Sequence, residues 1–69
     1  MVEVFKTNLN QQRVRPVIKA LTESFPACKI NVDMEDCDKI LRIEGELVSA
    51  KEIMKMLAKE GFQCAVLDY

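Results

Sequence analysis

KINVDMEDCDKILRIE, Lys29 to Glu44, is the stretch on which the fold turns. Ile30, Val32 and Met34 alternate with Lys29, Asn31 and Asp33, the two-residue period of a half-buried strand. The polar cluster EDCDK then makes a turn, and Lys39–Glu44 resumes the alternation through Leu41 and Ile43. Two such strands joined by a short polar turn form an antiparallel hairpin. What flanks the hairpin decides the architecture.

Upstream, Val14, Val17, Ile18, Leu21 and Phe25 follow the i, i+3, i+4, i+7 spacing of an amphipathic helix, and Pro26 lies just past its end. Pro16 is tolerated only in the first turn, so the helix begins near Val14 or Arg15, with NLNQQR as an irregular approach. Before that, Val2 and Val4 alternate with polar neighbours and mark a strand over 2–6. Downstream, Ser49-Ala-Lys-Glu52 is a capping box, opening a helix striped by Ala50, Ile53, Met54 and Leu57. Gly61 suits the position after that helix, and Gln63–Leu67 closes the chain as a last strand.

The order β-α-β-β-α-β predicts an α+β ferredoxin-like sandwich over a single domain, 1–69. Its antiparallel sheet takes the order 4-1-3-2, with both helices on one face. Val2, Val4, Ile30, Val32, Leu41, Ile43, Cys64 and Val66 are expected to meet the helices. That assignment leaves Phe5, Ile40, Ala65 and Leu67 as an apolar patch on the open face, rimmed by Glu3, Lys29, Asn31, Asp33 and Arg42. Such a patch points to association with a protein partner or a second copy.

Composition narrows the function. With 49% apolar and 30% charged residues the chain is built to fold as a globule. No apolar run reaches the ~18 residues of a membrane span, and MVEVFK lacks a signal-peptide pattern, so a cytoplasmic protein that does not enter the membrane is expected. The three cysteines, Cys28, Cys37 and Cys64, are odd in number and far apart, which fits reduced thiols. The net charge of −1 gives no basic footprint for nucleic acid. It does hide an asymmetry: residues 1–32 hold five Lys/Arg against two acids, and residues 33–69 five against nine. Catalysis has few candidates, because the chain has no His and its two glycines, Gly45 and Gly61, form no phosphate-binding loop. The run DMEDCD lacks the Gly and terminal Glu of a calcium loop. No enzyme is expected.

VEVFK (2–6), VIKAL (17–21), INVDME (30–35), LVSAKEIMKML (47–57) and GFQCAVLD (61–68), in this order, resemble the heavy-metal-associated domain family. That family comprises small copper chaperones and the N-terminal domains of metal-pumping ATPases. The resemblance implies a loop G-M-x-C-x-x-C between the first strand and helix, whose thiolates hold a soft ion such as Cu(I). Counted back from VIKAL, the two cysteine positions fall on Asn10 and Arg13, and the methionine position on Asn8. An amide oxygen is a poor ligand for a soft metal, and a guanidinium is no ligand at all. The resemblance therefore implies a degenerate member that carries no metal cofactor and works through protein contacts. Two other readings stay open. One is a metal carrier using Cys37, Cys37 with Cys64 at the loop's end of the sheet, or ligands shared between chains. The other is anion binding by Lys6, Arg13, Arg15 and Lys19 at the start of the first helix.

Overall fold

A computed structural model describes residues 1–35 and 37–67; Asp36 of the acidic turn, and Asp68 and Tyr69 after the last strand, lie outside them. The elements are β1 (Val2–Thr7), α1 (Val14–Ser24), β2 (Lys29–Asp33), β3 (Ile40–Glu44), α2 (Ala50–Lys59) and β4 (Cys64–Val66). Every pairing is antiparallel, and the sheet runs β2-β3-β1-β4, the expected 4-1-3-2 read from its other edge. The first and last βαβ halves interlock because β1 lies between β3 and β4.

The core joins Phe5, Leu41 and Ile43 of the sheet to Val17 and Leu21 of α1 and Ile53 and Leu57 of α2. Leu9, in the loop after β1, and Val48, just before α2, complete it. Both helices thus cover one face of the sheet.

The faces of β1 are the reverse of those expected. Phe5 is fully buried opposite Leu41, whereas Val2 is exposed. Val4 pairs with Arg42 and lies on the open face with it. The alternation of VEVFKT permits either assignment, and a one-residue slip exchanges the two sides. Phe5 lies opposite Leu41 beneath the helices, where a large side chain is fully covered, whereas Val2 at the end of the strand stays exposed. Phe5 therefore belongs to the core and leaves the predicted open-face patch; Glu3 leaves its rim for the same reason. Cys64 and Val66 keep the helix-side face, opposite Thr7 and Phe5, although Val66 stays exposed on the edge strand.

Local signals place both helices. Regular α1 begins at Val14, so Pro16 falls in the first turn. Ser49 Oγ accepts the N–H of Glu52 at 3.3 Å, as the capping pattern requires. Gly61 has φ +89°, the left-handed conformation that ends α2. Gly45 serves a different need: a Cβ there would stand 2.7 Å from Cys28 Sγ.

Candidate functional site

The loop from Asn8 to Arg13 connects β1 to α1, and each polar residue singled out in it is engaged by the protein itself. Asn8 Oδ1 accepts the backbone N–H of Gln63 at 2.8 Å, fastening the loop to the approach of β4. Asn10 Oδ1 accepts the N–H of Arg13 at 2.9 Å, while its carbonyl accepts the N–H of Val14 at 2.9 Å. These bonds close a turn at 11–13 that leads into α1, whose own N-cap, Arg13, makes no side-chain capping bond. Pro16 has no N–H to return to Gln12, which accounts for the break between that turn and the regular helix.

Arg13 reaches across to the end of α2. Its Nη2 lies 3.5 Å from Glu60 Oε2, and its Cζ stands 5.5 Å from the centroid of the Phe62 ring. Both contacts are at the surface and worth about 1 kcal/mol or less each, yet together they hold the guanidinium on the helix side. Lys6 belongs to the opposite face, with its Nζ 3.6 Å from Asp38 Oδ1. Arg15 and Lys19 are exposed on α1. The four cations proposed for an anion are thus spread over two faces and do not converge.

Thr7 and Leu9, which are not among the expected site residues, underlie the loop. Thr7 Oγ1 donates to the carbonyl of Lys39 at 2.6 Å and accepts the N–H of Leu9 at 3.3 Å. Its own N–H donates to the carbonyl of Asp38 at 3.0 Å. Lys39 has φ +48°, and its Nζ donates to the carbonyl of Met34 at 3.0 Å. The hairpin turn and the loop are thereby bound to each other at this end of the sheet. A threonine ending a strand, followed by a leucine amid amides, was the available signal.

The thiols lie apart in environment. Cys37 is exposed in the hairpin turn at the loop's end of the sheet. Cys64 is half-buried opposite Thr7 at that same end, beside a shallow groove of about 400 Å³ bordered by Lys6, Asn8 and Gln63. Burial pushes the Cys64 thiol up to about 11, so it stays protonated at neutral pH. Cys28 belongs to the opposite end, with its Sγ 3.8 Å from the Leu47 carbonyl. Among the described residues no group of three or more His, Cys, Asp or Glu side chains converges as a metal site would. No helix there is long and apolar enough to cross a membrane.

The open face carries Val2, Val4 and Lys6 of β1, Ile40, Arg42 and Glu44 of β3, and Ala65 of β4. Leu67, whose N–H donates to the Val4 carbonyl at 2.8 Å, continues it. Ile40, Arg42, Ala65 and Leu67 thus lie where the sequence placed them, with Val4 in place of Phe5. Compared with protein-family models, with curated proteins and with solved structures, the chain matches none.

Proposed function

We propose that the chain is a small non-enzymatic binding module of the ferredoxin-like, heavy-metal-associated type, in which the thiol loop has become a structural fastener. It acts in the cytoplasm through protein contacts made by the open sheet face around Val4, Ile40, Arg42 and Leu67. The observation that carries this reading is the engagement of Asn8, Asn10 and Arg13. The three positions that correspond to the metal loop are bonded to Gln63, to the α1 turn and to Glu60. A cation bringing charge to this mouth meets a fixed guanidinium in place of a thiolate, and the amide oxygens beside it are hard donors already in use.

The test is a competition titration with Cu(I) and a chromophoric chelator under reducing conditions. The parent is expected to take up no stoichiometric copper with a Kd tighter than about 1 μM, the affinity that would correspond to about 8 kcal/mol. The double substitution Asn10→Cys with Arg13→Cys is expected to create such binding, because it supplies two soft ligands at the loop and removes the opposing charge. Stoichiometric uptake by the parent at that affinity would overturn the reading in favour of a carrier using Cys37 or ligands shared between chains.

A further inference from the structure

The β2 edge carries a pattern that complements itself. β2 is the outer strand of the sheet, and its pairing with β3 sets Lys29, Asn31 and Asp33 opposite Glu44, Arg42 and Ile40. The direction of its backbone groups follows from the alternation of an antiparallel ladder. The Leu67 N–H donates to the Val4 carbonyl, so the even residues of β1 bond toward β4 and the odd ones toward β3. Leu41 and Ile43 therefore bond toward β1, and Ile40, Arg42 and Glu44 toward β2. It follows that Lys29, Asn31 and Asp33 use their backbone groups on β3, while Ile30 and Val32 aim theirs at the free edge.

We propose that this edge pairs with the β2 edge of a second copy of the chain, antiparallel and centred on Asn31. The proposal rests on the reading of the chain as a contact module and names its partner. In this register Ile30 faces Val32 of the second copy, and each of these pairs exchanges two N–H···O=C bonds, completing the ladder. Lys29 faces Asp33 of the second copy twice, by symmetry, and Asn31 meets its own equivalent on the axis. One patch thus serves both partners, as a twofold contact demands. A parallel in-register arrangement is disfavoured, since it sets Lys29 against Lys29 and Asp33 against Asp33. Asp33 Oδ1 accepts the N–H of Glu35 at 3.1 Å. Ile30 and Val32 are half-buried, so pairing covers what remains of their side chains. The opposite edge is unlike this one, because β4 has only three residues and no charge among them. The contact is small, and the dimer is accordingly weak and concentration-dependent.

Sedimentation at up to about 1 mM, the regime of a weak contact, tests the proposal. The parent is expected to self-associate. Lys29→Asp and Asp33→Lys each set like charges opposite one another twice, and each is expected to weaken the dimer by about tenfold or more. The chain carrying both substitutions regains the association, and so does an equimolar mixture of the two single variants, whose charges match only between unlike chains. Far-UV circular dichroism confirms that each variant is folded. A parent that stays monomeric throughout overturns this proposal, as does a dimer indifferent to both single changes. Either result leaves the copper titration to judge the underlying reading separately, since that measurement does not depend on the oligomeric state.

Discussion

The two helix entrances share one layout and are secured by different means. At α1 an apolar Leu9 precedes Asn10, which closes the turn leading into the helix, and Val14 follows four residues later; at α2 Val48, the N-cap Ser49 and Ile53 repeat the spacing. All four apolar residues are buried, the arrangement of a hydrophobic staple. The residue three after Asn10 and three after Ser49 separates them. At α2 it is Glu52, an acid in the first turn that suits the helix dipole. At α1 it is Arg13, which the dipole disfavours and which turns to Glu60. The α2 entrance is therefore stable by local chemistry. The α1 entrance depends on residues far away in sequence, Lys39, Glu60 and Gln63, and is held from outside. A helix start secured in this way can dispense with residues its own first turn would prefer.

The comparison can be broken most forcefully at its apolar base. Leu9→Ala is expected to destabilise the fold by about 3 kcal/mol, because a fully buried leucine leaves a cavity beneath the loop. Urea unfolding beside Val48→Ala, which removes less volume, measures how far the two entrances differ. Thr7→Val comes next. It keeps the shape but leaves the Lys39 carbonyl and the Leu9 N–H without their partner, for a loss of about 1–3 kcal/mol. A change in urea midpoint under 0.5 M, at the usual slope of about 1–2 kcal/mol/M for a small domain, would show that the Thr7 link is dispensable.

Ser49 and Asn10 sharpen the contrast. Ser49→Ala and Asn10→Ala should each lower stability by about 1 kcal/mol. Hydrogen exchange separates them: Ser49→Ala loosens the first turn of α2 alone, whereas Asn10→Ala also loosens the amide of Gln63, which the neighbouring Asn8 holds. Protection at Gln63 unchanged by Asn10→Ala would mean that the α1 entrance is as local as its counterpart. Arg13→Ala has the smallest effect, about 0.5 kcal/mol, and that loss shrinks in high salt because the pair is exposed. A loss indifferent to salt would assign it to packing on Phe62 instead.

The elements were readable in the sequence because each rests on local signals. Ser49 and Glu52 announce α2, Pro16 sets where α1 becomes regular, and the hairpin alternates through Leu41 and Ile43. The face of β1 was not readable by periodicity, since Val2/Val4 and Phe5/Thr7 satisfy the same alternation; in the fold Phe5 and Thr7 are the buried pair. In the loop the amides and cations were legible, but their bonds were not. The partners of Asn8 and Arg13 lie more than forty residues away, and no local rule connects them. Nor does charge alone place Lys6 and Arg13 on different sides of the sheet; that follows once the register of β1 is fixed.

The central position of β1 has a consequence for how the chain comes off the ribosome. β1, made before the other five elements, needs a neighbour from the hairpin and another from β4, the latest of the six. Until Cys64–Val66 has left the exit tunnel, β1 presents a bare flank and Asn8 waits for Gln63. Nascent chains stalled before that point should be open to protease and to chaperones, and acquire resistance abruptly once β4 is free.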